Sequence, residues 1–196
     1  MFFYESVYRK GDKMILVISG LHGTGKSTIA KKIAESLKFE YHSTGTLFRN
    51  LAEKNNMSLK DFSEYAVDHP EIDLELDTMV KDMASSGKDI IFDGQIGAYI
   101  LGDLANYCIL LKCAKDVRIA RMKNRDNVSM EDMIDETLKR EKYERQRFID
   151  IYGIDVLDGG LILANYDLIL DVTNLNIEQV FEICLTAVKA SIKNKE

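Results

Sequence analysis

The chain has 196 residues, of which 46% are hydrophobic and 30% charged, proportions typical of a soluble globular protein with one domain. Its formal net charge of −6 argues against non-specific binding to nucleic acid, and no apolar stretch reaches the roughly 18 residues that a membrane span needs. The three cysteines are sparse, odd in number and without metal-ligand spacing, which favours free thiols in a reducing cytoplasm.

The first 13 residues mix charges with aromatic side chains and lack the apolar core of a signal peptide. We expect either that Met14 is the natural start or that residues 1–13 are a loose extension. Residues 14–196 are predicted to form a single domain.

Apolar runs of strand length alternate with stretches of helical periodicity. The strands of a buried parallel sheet are predicted at 14–19, 89–92, 107–112 and 167–172, with a shorter candidate at 40–42. Helices are predicted at 26–37, 46–55, 58–67, 70–84, 117–125, 129–151 and 177–192, with Ser58, Pro70 and Ser129 as start signals. This alternation predicts an α/β layered fold.

The segment from Gly20 to Ser27 reads Gly-Leu-His-Gly-Thr-Gly-Lys-Ser and follows the first predicted strand directly. The pattern G-x-x-x-x-G-K-S between a strand and a helix is the signature of a phosphate-binding loop. Its glycines let backbone N–H groups face phosphate oxygens, and the helix start adds positive dipole. Lys26 is expected to reach the outer phosphates and Ser27 to bind Mg²⁺, whereas His22 is interpreted as a variable position. The chain is therefore expected to bind a nucleoside triphosphate.

A second anion site is predicted where the weak second strand ends. Ser43, Thr44 and Gly45 open a helix there, and Arg49 follows one turn later. A guanidinium fork suits a phosphate monoester. An N-capped helix with a surface arginine is the alternative interpretation.

The third signal is Asp93, which ends an apolar strand and precedes Gly94. A carboxylate at this place orders Mg²⁺ beside a phosphate loop. A strand-end turn is the alternative, since Asp-Gly is common in turns.

Six of the eight arginines lie between residues 118 and 147. Arg118, Arg121 and Arg125 share one helix face, and Arg140 and Arg147 are seven residues apart on the next predicted helix. Two such helices are expected to close over a bound triphosphate. Taken with the other signals, they indicate phosphoryl transfer between two anionic substrates, which depends on neutralised charge and excluded water rather than on a general base.

These motifs, in this order, resemble those of the nucleoside monophosphate kinases. The closer resemblance is to the short, archaeal-type cytidylate kinases. It runs from Met14 nearly to the end of the chain, and its specific part is the following set: His69-Pro70-Glu71-Ile72-Asp73, Arg140-Glu141, Arg147-Phe148 and Ile151-Tyr152-Gly153-Ile154-Asp155.

The resemblance implies a P-loop three-layer fold with a five-stranded parallel sheet, a helical acceptor-binding insert at about 46–86 and a short lid at about 122–147. It implies transfer of the ATP γ-phosphate to CMP or dCMP. Our leading hypothesis is a Mg²⁺-dependent, cytoplasmic enzyme that is a monomer. The ATP-binding residues it implies are Gly20, Leu21, His22, Gly23, Thr24, Gly25, Lys26, Ser27 and Thr28. The acceptor-binding residues are Ser43, Thr44, Gly45, Arg49 and Gln95, the magnesium-binding residues are Ser27 and Asp93, and the groups that act on the transferring phosphate are Lys26, Arg121, Arg140 and Arg147.

Two positions depart from the family pattern. Relatives commonly have Asp where Thr46 stands and Arg where Gln95 stands. An amide cannot offset charge, and losing one charged contact to phosphate costs roughly 1.5–3 kcal/mol. Another cation compensates, the acceptor differs, or turnover is slow.

Three alternative functions stay open at this stage. The first is a kinase for another monophosphate, such as AMP or UMP. The second is a small-metabolite kinase with a hydroxyl acceptor, which leaves Arg49 without a partner. The third is a non-catalytic nucleotide switch, against which the second arginine cluster argues.

Overall fold

The computed structural model describes residues 13–126 and 130–193. Five strands form one parallel sheet in the order β2-β3-β1-β4-β5, which confirms the predicted fold class. The strands are β1 (Ile15–Ser19), β2 (Glu40–Ser43), β3 (Ile90–Asp93), β4 (Tyr107–Lys112) and β5 (Leu168–Asp171). The predicted strands therefore exist at the expected places, and the candidate at 40–42 is one of them.

Strand β1 lies at the centre of the sheet and is buried along its whole length. Val17 pairs with Phe92 on one side and with Cys108 on the other. A parallel strand covered on both faces is apolar at every position rather than alternating, which explains the unbroken run at 14–19. The central position brings the end of β1 next to the ends of β3 and β4.

Helices cover both faces of this sheet, so that the fold has three layers. They are α1 (Lys26–Leu37), α2 (Thr44–Lys54), α3 (Leu59–Tyr65), α4 (Glu71–Ala84), α5 (Gly97–Leu101), α6 (Lys115–Asp126), α7 (Met130–Tyr152), α8 (Gly159–Asn165) and α9 (Ile177–Lys193). Ile33 of α1 and Val188 of α9 pack in the core on one face. Val80 of α4 and Leu101 of α5 pack on the other.

A separate small core joins helices α2, α3 and α4. It contains Phe48, Phe62 and Leu76, and the rings of Phe48 and Phe62 lie 4.9 Å apart. Ser58 caps α3 as predicted, since its hydroxyl accepts a hydrogen bond from the Asp61 N–H. These three helices form a unit with its own apolar interior beside the sheet.

Two short helices, α5 and α8, and a single 3₁₀ turn at Gly102–Leu104 are absent from the sequence prediction. Each spans fewer than two turns, too few for apolar residues to recur at i, i+3, i+4 and i+7. Helix α2 begins at Thr44 rather than at residue 46, because Ser43 rather than a later residue is its N-cap. The predicted start signal at Ser129 and the predicted extension at 1–12 lie outside the described residues.

None of the helices described here is both long and apolar enough to cross a membrane. All three cysteines are free thiols: Cys108 and Cys184 are buried, and Cys113 is half-buried.

Candidate active site

The glycines of the segment between β1 and α1 have a conformation that other residues rarely adopt. Gly23 and Gly25 have φ values of 78° and 91°. A Cβ on Gly23 would lie 2.5 Å from the backbone oxygen of Arg118, so the segment packs directly against α6. Thr24 donates its hydroxyl to the Leu21 carbonyl at 2.9 Å and closes the turn. The segment therefore has the curled backbone and helix start that bind phosphate.

Lys26 lies at the start of α1 and lines the large cavity above the sheet. Its Nζ donates to the Leu21 carbonyl at 3.4 Å. Burial lowers the pKa of Lys26, while the nearby carboxylates of Asp93 and Glu144 oppose that effect. Because Lys26 is half-buried at the cavity wall, an anion bound there would stabilise its charged form.

Asp93 ends β3 beside this loop and is only 2% exposed. Its two carboxylate oxygens accept hydrogen bonds from the Tyr41 hydroxyl at 2.5 Å and from the Ser43 hydroxyl at 2.8 Å. Burial, together with the Asp93 carboxylate, raises the pKa of Tyr41 to about 12. The Ser27 hydroxyl also interacts with the Tyr41 hydroxyl, so Ser27 and Asp93 both lie next to the Tyr41 side chain.

These oxygen groups fit a magnesium ion that is bound together with phosphates. Mg²⁺ prefers oxygen ligands and is held in nucleotide sites by one or two protein groups, with phosphate and water completing its shell. Within residues 13–126 and 130–193, no group of three or more His, Cys, Asp or Glu side chains has the geometry of a protein-only metal site. The Ser27 hydroxyl and the Asp93 carboxylate beside a phosphate loop therefore match a site in which protein, phosphate and water together bind the ion.

The segment after β2 forms the second part of the site. Ser43 caps α2 by accepting a hydrogen bond from the Thr46 N–H at 3.3 Å. Thr44 donates its hydroxyl to the Asp93 carbonyl at 3.1 Å, which ties this segment to the end of β3. Arg49 is exposed, and its guanidinium donates to the Thr46 hydroxyl at 2.9 Å. Thr46 thus orients the arginine that was expected to bind an acceptor phosphate.

The arginines of α6 do not all face the cavity. Arg118 is buried and donates to the His22 carbonyl at 2.6 Å and to Glu141 at 2.5 Å. Arg121 lines the cavity, and its guanidinium donates to the carbonyls of Val172 and Leu175. The side chain of Arg125 lies outside the described part of the structure.

The arginines of α7 also have defined partners. Arg140 donates from Nε to Glu144 at 3.0 Å. Arg147 is 4% exposed, donates to Asp73 of α4 at 2.9 and 3.4 Å, and stacks 5.2 Å from the Phe48 ring. Burial raises the pKa of Asp73, and the charge of Arg147 opposes that effect. Arg147 therefore joins α7 to the small core of α2–α4 as well as lining the cavity.

Gln95 follows Asp93 and reaches across the cavity to α7. Its amide nitrogen lies 3.0 Å from the His22 ring nitrogen and donates to Glu144. His22 itself contacts Glu144 at 2.7 Å. His22 was interpreted as a variable loop position, but its side chain links the phosphate loop to α7.

One cavity of about 1330 Å³ contains almost all the predicted site residues. Those that line it are His22, Gly23, Thr24, Gly25, Lys26, Ser27, Thr28, Ser43, Thr44, Gly45, Arg49, Asp93, Gln95, Arg121, Arg140 and Arg147. Gly20 and Leu21 do not line it and instead border a separate cavity of about 30 Å³. A Cβ on Gly20 would lie 2.6 Å from the Leu111 carbonyl, so Gly20 serves the close contact between the loop and β4.

Three residues of the site were missed by the sequence analysis. Tyr41 bonds to Asp93, Asp73 pairs with Arg147, and Glu144 bonds to Arg140. Glu144 had a usable signal, since it lies four residues after Arg140 and three before Arg147 on the same helix face. Tyr41 had none, because its partner is 52 residues away. Asp73 ends the motif His69–Asp73, but that motif does not indicate its partner Arg147, which is 74 residues away.

The sequence of this chain is similar to those of known proteins. The model of the cytidylate kinase-like family matches residues 15–174. A cytidylate kinase of Pyrobaculum neutrophilum is 36% identical over 182 residues, which are 93% of this chain and 96% of that protein. A cytidylate kinase of Aeropyrum pernix is 39% identical over 169 residues, which are 86% and 95% of the two chains.

Solved structures with the same fold are more distant in sequence. A gluconokinase from Sinorhizobium meliloti has a TM-score of 0.60 at 15% identity, with 95% of this chain and 97% of that chain covered. A shikimate kinase from Aquifex aeolicus has a TM-score of 0.56 at 13% identity, with 91% and 98% covered. At these identities the likeness extends to the three-layer α/β fold.

Proposed function

The chain belongs to the cytidylate kinase-like family, and from this premise we propose that it transfers the γ-phosphate of ATP to CMP or dCMP, with Mg²⁺ as cofactor. The observation that carries the proposal is the single cavity of about 1330 Å³, which holds a phosphate loop, a second anion segment and arginines from two helices. Two anionic substrates need such a shared, cation-lined space for in-line transfer.

The phosphate loop supplies the donor half of the site. In the proposed complex, backbone N–H groups of residues 22–28, which line the cavity, bind the ATP phosphates, and Lys26 neutralises the outer ones. Lys26 is held near the loop by the Leu21 carbonyl, so that it is already in place when ATP arrives. Ser27 and Asp93 would hold Mg²⁺, which supplies charge neutralisation at the phosphate oxygens when bound.

The segment after β2 supplies the acceptor half. Ser43, Thr44 and Gly45 lie at the N-terminus of α2, where backbone N–H groups favour an anion. Arg49 adds a guanidinium fork for the acceptor phosphate. Gln95 adds an amide at the cavity wall. The acceptor oxygen is already anionic, so no general base is required.

The arginines act where charge develops during transfer. Arg121, Arg140 and Arg147 line the same cavity from α6 and α7. We assign them to the transferring phosphoryl group, with residues of about 122–147 as a lid that excludes water and about 46–86 as the acceptor-binding insert. Arg147 belongs to the proposed lid and pairs with Asp73 of the proposed insert. This ion pair supports a role for Arg147 in coupling the lid to the insert.

We further propose that the enzyme acts as a monomer in the cytoplasm and that residues 14–196 form a single kinase domain. Free thiols at all three cysteines support a reducing compartment. The net charge of −6 supports small anionic substrates bound at a local cationic site rather than a nucleic-acid partner.

The test is release of ADP from ATP and Mg²⁺ with CMP, dCMP, UMP, AMP and GMP offered separately. Fast turnover with CMP or dCMP alone, abolished by a chelator, is the expected result. Turnover with a different monophosphate keeps the mechanism and changes the acceptor. Silence with all five acceptors, while ATP still binds, overturns the proposal in favour of a metabolite kinase or a nucleotide switch.

A further inference from the structure

Glu144 is a buried anion at the junction of three distant segments. It is 6% exposed and lies on α7 at the cavity wall. Its carboxylate accepts hydrogen bonds from the His22 ring at 2.7 Å, from the Gln95 amide, and from Nε of Arg140 at 3.0 Å. A buried carboxylate is costly unless each oxygen has a partner, and here one oxygen has two donors. The arrangement therefore fixes the position of Glu144 closely.

We propose that His22 is a positioning residue for phosphoryl transfer: with Gln95 it fixes Glu144, which in turn orients the guanidinium of Arg140 in the site. This inference rests on the proposed function and extends it to a residue of the phosphate loop that faces α7. The side chain of His22 thus acts on the reaction through Glu144 and not through a contact with ATP.

The backbone of His22 is held as firmly as its ring. Arg118 of α6 donates to the His22 carbonyl at 2.6 Å and pairs with Glu141 of α7 at 2.5 Å. The next residue, Gly23, packs against the backbone of Arg118. The loop and α7 are therefore joined on both sides of residue 22, through its ring by Glu144 and through its carbonyl by Arg118.

The contact between Glu144 and Arg140 determines what this junction does. The bond uses Nε of the guanidinium and therefore fixes its plane without using the two terminal nitrogens, with which a fork binds phosphate. Burial alone would raise the pKa of Glu144, but its contacts with His22 and Arg140 outweigh burial and hold it well below its usual range. Glu144 therefore remains an anion, as the anchor of an arginine must.

The experiment is a double-mutant cycle on kcat, with His22→Leu, Glu144→Gln and the two combined, in the presence of ATP, Mg²⁺ and CMP. Each single variant should lower kcat about tenfold, roughly the effect of one charge-assisted hydrogen bond, with little change in the KM for ATP. The double variant should also lose only about tenfold, because both changes break one chain of contacts. Two independent effects would multiply to about a hundredfold, and that outcome overturns the proposal.

Controls separate positioning from folding. His22→Gln keeps an N–H donor and should recover kcat to within about threefold of the wild type. Lys88→Gln removes an exposed ion pair with Glu40, outside the cavity and outside the proposed lid and insert, and should leave kcat unchanged. Thermal unfolding identifies a variant that fails to fold, and His22→Ala and Glu144→Asp then replace His22→Leu and Glu144→Gln in the cycle. A wild type with no turnover of any monophosphate removes the proposed function and this inference together, whereas an active wild type with multiplying effects removes this inference alone.

Discussion

The buried pair of Arg147 and Asp73 should be the most sensitive point of the structure to single substitution. The two side chains are 4% and 5% exposed. Their contacts are Nε to Oδ2 at 2.9 Å and Nη2 to Oδ1 at 3.4 Å, and Arg147 also stacks on Phe48. Removing one member of such a pair leaves a charge buried without a partner, which costs about 3–5 kcal/mol.

The perturbation is Asp73→Ala, and the assay is thermal unfolding followed by circular dichroism. In a chain of this size each kcal/mol shifts the unfolding midpoint by about 2–4 °C, so the expected fall is roughly 6–20 °C. The double variant Asp73→Leu with Arg147→Met replaces the pair by apolar groups and should recover most of that loss. It should not recover turnover, because the proposed contact of Arg147 with the transferring phosphate is gone.

The matched control is the ion pair between the exposed Arg145 of α7 and Asp155, which follows that helix. Arg145→Ala should cost about 1 kcal/mol or less, since exposed ion pairs contribute little. The reasoning is refuted if Asp73→Ala lowers the unfolding midpoint no more than Arg145→Ala does. Full turnover in the apolar double variant would refute the role given to Arg147.

Three further predictions can be tested with single substitutions. Lys26→Ala should lower the rate of transfer by orders of magnitude with little loss of folding stability, and an unchanged rate would contradict the loop assignment. Tyr41→Phe should be less stable than the wild type below pH 10. Because the pKa of Tyr41 in the folded protein is raised to about 12, the stability advantage of the wild type should fall as the pH rises from 10 to 12. A difference in urea midpoints that stays constant over this range would contradict the prediction. Ser58→Ala should cost about 1 kcal/mol in urea unfolding through loss of the α3 cap, and no cost would contradict that role.

Much of the fold could be predicted because its strands are continuous apolar runs. Buried parallel strands such as Ile15–Ser19 are apolar at every position, and helices longer than two turns show their period. Helix α8, at Gly159–Asn165, has no such period, and its main local signal is the cap of Asp158, whose carboxylate accepts from the Gly160 and Leu161 N–H groups. Short elements of this kind depend on their neighbours in space.

The candidate site likewise has a part that the sequence predicts and a part that it does not. The phosphate loop was predictable because strand, glycines, Lys26 and Ser27 are contiguous and their function depends on local backbone geometry. The contact between His22 and Glu144 joins residues 122 positions apart, and no local pattern encodes it. The same holds for Asp73, without which the burial of Arg147 could not be foreseen.

The most direct test of the account is a competition in one tube. ATP and Mg²⁺ are mixed with equal amounts of CMP, dCMP, UMP, AMP and GMP, and the diphosphates formed are identified by mass spectrometry. The account predicts CDP or dCDP, in amounts equal to the ADP released beyond any formed from AMP. Another nucleoside diphosphate as the main product, or inorganic phosphate with no new diphosphate, would contradict it.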